Sequence, residues 1–213
     1  RDFRVADRDE RQPLGVVVER RMMQVPELAL DMLEEITQRF SMEFSIRSFL
    51  NRHKAVTLAR MRDWAVHPHY HVRRLVSEGT RPRLPWGMGI AIDPLRPLEL
   101  LDLLYADDAR FVTRSVANHL NDLSKIHPEA VLGRLRGWRE RGAQDPAELD
   151  WMTRHALRTA VKRGEPEALA LLGYRADLPV RAALELPAEV RIGEMLAFVV
   201  TLEGEEAGPV LVD

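Results

Sequence analysis

His71-Val72-Arg73-Arg74-Leu75-Val76-Ser77-Glu78-Gly79-Thr80-Arg81-Pro82-Arg83-Leu84-Pro85-Trp86 combines a helical pattern with an unusual charge pattern. Val72, Leu75 and Val76 fall on one side of a helix, while Arg73, Arg74, Ser77 and Glu78 fall on the other. Gly79 reads as the stop of that helix. Arg81-Pro82-Arg83 then reads as a turn that delivers the Trp86 indole. The same opening recurs as Val112-Thr113-Arg114 and Met152-Thr153-Arg154. The spacing is about 40 residues, the period of paired-helix solenoids of the HEAT kind. In such a fold each helix pair buries one face against its neighbours, and the second helices lie side by side. The expected fold is therefore mainly α: a HEAT-like α-solenoid, an α-α superhelix, with a short C-terminal β segment.

The chain on either side fits this frame. Helices from Pro97 to Tyr105, Pro128 to Arg139 and Pro166 to Leu172 connect the echoes, and each opens on a proline, as suits a first helical position. Upstream, Leu28, Met32, Leu33, Ile36 and Phe40 recur at helical spacing, followed by Phe44, Ile46, Phe49, Val56, Leu58, Met61 and Trp64. Breaks are expected at Ser45, at Asn51-Arg52-His53 and at His67-Pro68. Residues 1–20 read as a charged lead-in, and residues 21–178 as the solenoid. Residues 186–213 read as a β segment, with Glu189 to Leu202 and Pro209 to Val212 as the extended candidates. The chain begins at Arg1 without a methionine, so it reads as an excerpt.

Composition narrows the classes. A hydrophobic fraction of 46% over 213 residues supports a real core. The formal net charge of −2 gives no global sign of a polyanion partner, so any such partner must meet locally clustered cations. With no cysteine there is no disulfide, thiol nucleophile or thiolate metal site. No apolar run approaches the roughly 18 residues of a membrane span, and no signal peptide is visible.

The cations do cluster. On a helix from Ala109 to Lys125, Val112, Val116, Leu120 and Leu123 form the inner stripe. Arg114, Asn118, Asn121, Asp122 and Lys125 form the outer one. On a helix from Trp151 to Arg163, Arg154, Arg158 and Lys162 align at four-residue steps with His155 beside them. Side by side, the three outer faces give a basic strip containing two acids, Glu78 and Asp122. Any one of these arginines is most simply a solvated surface residue. The collective sign bias, and the preference for arginine over lysine, suit bidentate contacts to phosphate. The run His67-Pro68-His69-Tyr70-His71 reads as a loop and helix start, with no metal and no cofactor called for. Trp64 and Trp138 read as structural; Trp86 and Trp151 read as exposed.

The segments His71 to Trp86, Arg114-Ser115-Val116-Ala117-Asn118-His119-Leu120-Asn121-Asp122 and Arg154-His155-Ala156-Leu157-Arg158-Thr159 resemble the AlkC-type DNA alkylation-repair proteins, bacterial 3-methyladenine DNA glycosylases with HEAT-like repeats. The resemblance runs from about Phe40 to Gly173. It implies a monomer acting on double-stranded DNA with alkylated bases, in the bacterial cytoplasm and at the nucleoid, without full base flipping. It also implies that the C-terminal strands begin a truncated immunoglobulin-like domain. Excision of a cationic base passes through an oxocarbenium-like sugar, which a carboxylate stabilises and an aromatic face can support. Glu78 is the first candidate carboxylate, Asp122 the second, and Trp86 the aromatic platform. Arg73, Arg74, Arg81, Arg83, Arg114, Arg154, His155, Arg158 and Lys162 are expected at the DNA, with Asn118 and Asn121 as neutral donors. Two rival readings stay open: a non-catalytic solenoid that binds distorted or damaged DNA, and a HEAT-type protein-interaction scaffold.

Overall fold

The computed structural model describes residues 18, 23–175 and 179–204. The chain divides into two compact units, Arg1–Arg163 and Gly164–Asp213. In the first unit the described helices are α1 (Pro26–Thr37), α2 (Glu43–Arg52), α3 (Lys54–Trp64), α4 (Tyr70–Gly79), α5 (Leu98–Leu104), α6 (Arg110–Ser124), α7 (Pro128–Arg141) and α8 (Pro146–Lys162). They pair as α3 with α4, α5 with α6, and α7 with α8, and the second helices α4, α6 and α8 pack in a row. This unit is the α-solenoid that the 40-residue echo requires.

The middle helix, α6, has neighbours on nearly every side: α4 and α8 flank it, and α5 and α7 pack against it. Val112, Val116, Leu120 and Leu123 are fully buried there. Each such side chain contributes about 1.5–3 kcal/mol by leaving water. Because α6 is covered from both flanks, its polar positions are buried too. Thr113, Ser115, His119, Asn121, Asp122 and Ser124 are all at most 7% exposed. Buried polar groups need partners, and here the adjacent helices supply most of them. Thr113 donates to Glu148 (2.6 Å), Ser115 to Ser77 (3.0 Å), and the Asn121 amide nitrogen to the Thr159 hydroxyl (2.9 Å).

The first helices share a different device. Trp64 and Trp138 are 1% and 0% exposed, and their indole N–H groups donate to Glu34 and Asp102. Arg60 and Arg134, one turn earlier, pair with acids of the same neighbouring helices. Each indole thus links its own helix to the first helix of the preceding pair.

Three boundaries differ from the sequence pattern. The upstream break falls at residues 38–42, and Ser45 lies buried inside α2. Helix α8 starts at Pro146, not at Trp151, with Asp145 capping it through Ala147 N and Glu148 N, both at 3.0 Å. Gly79 does not stop α4; it is the helix's last residue, and Thr80 takes the cap. Its glycine identity answers packing instead: a Cβ there would lie 2.6 Å from Ile46 Cγ2 of α2. Several positions assigned inward by period, among them Leu28, Phe44 and Val56, are exposed.

The second unit contains α9 (Pro166–Leu171) and an antiparallel pair, β1 (Val180–Glu185) and β2 (Val199–Gly204). Val180 pairs with Gly204 and Glu185 with Val199. Only the end of the Glu189 to Leu202 candidate is strand; Gly193, at φ 95°, sits in a turn within it. The partner strand, Val-Arg-Ala-Ala-Leu-Glu, has one β-branched residue and no strong local signal. The Pro209 to Val212 candidate lies outside the described residues.

Candidate functional site

Two carboxylates from neighbouring second helices meet on one guanidinium. Glu78, in the last turn of α4, accepts from Arg81 Nη1 at 2.6 Å. Asp122, in the last turn of α6, accepts from Arg81 Nη2 at 2.7 Å and Nε at 2.9 Å. Arg81 stands just past the C-terminus of α4, so the chain turn that the Pro82 ring favours sets its side chain between the two helices. Glu78 Oε2 accepts from Ser115 at 2.7 Å, and Arg74 lies 3.6 Å away on the same oxygen. Lys125 reaches Asp122 Oδ1 at 3.4 Å.

The electrostatics hold the centre charged. Burial alone would raise the Glu78 pKa, but Arg81, the Ser115 hydroxyl and Arg74 outweigh it and keep the carboxyl below its ordinary range. Burial likewise opposes the Arg81 charge, and the two carboxylates more than restore it. His119, one turn before Asp122, is pushed down to about 4, chiefly by complete burial. Its Nδ1 faces Ser77 O at 3.0 Å, so that nitrogen carries the proton of a neutral ring. Its Nε2 is buried with no hydrogen-bond partner among the described residues.

Access to the two acids is unequal. A cavity of about 450 Å³ is lined by Thr80, Pro82, Arg83, Ile90, Ile92, Pro94, Asp122, Lys125, Ile126 and Arg163. A second, of about 410 Å³, is lined by Arg47, Arg81, Pro82, Arg83, Leu84, Pro85, Gly87, Gly89 and Asp122. Asp122, Pro82 and Arg83 line both, whereas Glu78 lines neither. The open carboxylate is Asp122; Glu78 stands behind it, connected through Arg81.

The expected cations separate into groups. Arg114 and Lys162 are exposed on α6 and α8, and Arg83 is exposed between the two cavities; none of the three makes an ion pair among the described residues. Arg154 is exposed and paired with Asp150 at 2.9 Å. Arg158 donates to Asn118 Oδ1 at 3.3 Å and to the His155 carbonyl. Its pKa is lowered by burial and by Arg81. His155 is lowered too, by burial and then by Arg158 and Arg114, which marks a positive field at this end of the face. Its Nε2 bonds Asn118 Oδ1 at 2.8 Å.

Four residues sit differently from the phosphate-contact expectation. Arg73 turns to the N-terminal side of α4, where Asp107, Asp108 and the carbonyls of His67 and Pro68 take its guanidinium. It therefore ties α4 to the α5–α6 link. Arg81 is occupied by carboxylates, as above. Arg74 is half-buried, bonded to Ser41 at 2.8 Å and stacked over Phe111 at 4.5 Å. Asn121 is 2% exposed and spans α6 to α8; with its amide nitrogen toward Thr159, its oxygen accepts from Lys125 (3.2 Å) and Arg158 (3.3 Å). Each lost its surface role because a covered solenoid helix presents polar residues to its neighbours as well as to solvent.

Of the two aromatic candidates, Trp86 is exposed and Trp151 is partly buried. Trp86 is 92% exposed and adopts φ 60°, a left-handed conformation rare for a bulky residue. Trp151 stacks on His155 at 4.9 Å and lies under Arg110 at 4.4 Å. In the histidine run, His69 caps α4 by accepting from His71 N, and His71 meets Phe111 edge-on at 5.3 Å. Ser115 and Arg47 were not singled out by sequence. Ser115 occupies the position equivalent to Leu75 in the 40-residue register, where an apolar residue is expected, and the pairing of α4 with α6 brings it to Glu78.

No family model matches the chain. It is 40% identical over 177 residues to the uncharacterized protein YhaZ of Bacillus subtilis, a match to 81% of this chain and 48% of that protein. Its structure matches that of Pseudomonas fluorescens alkylpurine DNA glycosylase AlkC, solved bound to DNA containing an abasic site analog. That match has a TM-score of 0.79 at 38% identity and covers 89% of this chain and 53% of the other. The chain thus spans about half the length of the proteins it matches. Over that half, in sequence and in fold, the chain is similar to the AlkC-type proteins.

Proposed function

We propose that this chain forms part of a DNA repair glycosylase that removes cationic alkylated bases, of the 3-methyladenine type, from duplex DNA. The observation that carries the reading is Asp122: an acid that lines two cavities and is paired with Arg81 and Lys125, in a chain 38% identical to an alkylpurine DNA glycosylase. In the reaction the C1′–N bond breaks with its electron pair going to the base, which leaves neutral. The sugar becomes an oxocarbenium ion. Asp122 stabilises that charge and accepts a proton from the water that adds at C1′. Glu78, held ionised behind it, adds negative potential through the shared Arg81. Trp86 offers its indole face to the cationic base. Arg83, Arg114, Arg154, Arg158 and Lys162 hold phosphates around the lesion. The resemblance to the AlkC type implies removal without full extrusion of the base, unlike most base-excising enzymes.

A second reading has its own support. Both Glu78 oxygens are bonded, and Asp122 is paired twice, as structural ion pairs are. That favours a solenoid that grips damaged duplex without excision. Release of free methylated purine from methylated duplex separates the two. The enzyme reading expects release by wild type, and loss of at least about a hundredfold in rate for Asp122→Asn. Tight, salt-sensitive binding of the same duplex with no release supports the second reading instead.

A further inference from the structure

Arg47 is a fully buried arginine (0% exposed) in the middle of α2. Among the described residues it has no carboxylate partner. Its donors go to main-chain carbonyls: Nη1 to Gly79 O at 3.1 Å and Arg81 O at 2.9 Å, and Nε to Met88 O. Burying a cation on carbonyl dipoles is costly: burial and the neighbouring Arg81 charge oppose it more than the Glu78 charge, acting through space, supports it, and an apolar residue would fill the site at less expense. Its targets give the arrangement a purpose. Gly79 ends α4, Arg81 bridges the two carboxylates, and Met88 lies across the loop that carries Arg83 and Trp86. One guanidinium therefore fastens both sides of that loop.

The same face of α2 repeats the grip. Ser48 contacts the Met88 sulfur at 3.5 Å, and Asn51 donates to Gly89 O at 2.9 Å and accepts from Ala91 N at 2.7 Å. A left-handed Trp86 persists only where its surroundings over-determine the backbone.

Granting the glycosylase reading, we propose that Arg47 is a positioning residue for excision. It clamps the Arg81 and Met88 carbonyls together, fixing the Arg81 guanidinium between Glu78 and Asp122 and holding the Trp86 loop in its working conformation. It touches neither base nor sugar. Misplacing a catalytic group by about 1 Å costs on the order of a hundredfold in rate, so the clamp acts on the chemical step more than on DNA binding.

The test compares wild type, Arg47→Lys and Asn51→Ala. Lysine keeps the charge but cannot fork to three carbonyls. Asn51 is exposed, so its variant keeps the comparison alive where a buried replacement fails to fold. Single-turnover release of methylated purine is expected to fall roughly ten- to hundredfold for Arg47→Lys and less for Asn51→Ala. Affinity for an abasic-analog duplex should change less than about threefold in both. Amide hydrogen exchange of residues 82–91, measured without DNA, should be slow in wild type and faster in both variants. If exchange quickens in both variants while release is unchanged, the positioning role is overturned and the glycosylase reading stands. Wild-type loop exchange at the rate of unfolded chain also overturns it. A wild type that releases no base removes the glycosylase reading and this role with it, and the exchange result still shows whether α2 holds the loop.

Discussion

At Arg81 one guanidinium serves carboxylates from two helices, and taking it away leaves two buried acids facing one another. Removing one partner from a buried ion pair costs about 3–5 kcal/mol. Arg81→Met is expected to lower the melting temperature by that equivalent, read by thermal unfolding near pH 7. Glu78→Gln in the same background should recover part of the loss, because one stranded charge is gone. His119 gives the centre a pH signature. An unfolded histidine titrates near 6.5, whereas burial holds this one at about 4. Between those values the unfolded chain binds the extra proton, so stability is full above about pH 6.5 and falls as pH drops toward 4. The complete loss is about 3 kcal/mol, from 1.36 kcal/mol per pH unit. Denaturant midpoints from pH 7 to 4 should show it, and His119→Gln should flatten the curve in that window.

At the scale of elements, α4 can lie against α2 only because Gly79 has no side chain. Gly79→Ala puts a methyl 2.6 Å from Ile46 Cγ2. The strain is expected to cost about 1–3 kcal/mol. Circular dichroism melting would check it, and Gly79→Ala with Ile46→Val should recover part. The paired helices themselves were legible in sequence, because each amphipathic stripe repeats with its neighbour's register. The second-helix stripes Val72-Leu75-Val76 and Val112-Val116-Leu120-Leu123 are buried as periodicity demands. The start of α8 is legible too: Asp145-Pro146 with Glu148 at N3 is a cap signal stronger than the apolar stripe that begins at Trp151. What periodicity could not separate was which polar residues face solvent and which face the next helix. Asn121 shares its stripe with the exposed Arg114, yet its partner Thr159 lies 38 residues away, and Arg73 reaches Asp107, 34 residues on. Strand β1 escaped notice for the same reason: its extended state depends on pairing with β2, not on its own residues.

For the whole molecule, a net charge of −2 conceals a face where cations gather around two acids that are already paired. Duplex binding by that face should weaken steeply with salt. Arg114→Ala combined with Lys162→Ala is expected to lower the slope of log affinity against log salt by about 1.8, two phosphate contacts at about 0.9 each, without changing thermal stability. A slope that does not change would move the DNA off this face. If the proposed function holds, this face does chemistry at Asp122 as well as gripping DNA. The most direct measurement is the rate at which free methylated purine appears from methylated duplex, wild type against Asp122→Asn, with both shown to be folded and to bind the duplex. Wild type is expected to release the base, and the variant to do so at least about a hundredfold more slowly. Equal rates from the two proteins, or no release from wild type, would contradict it.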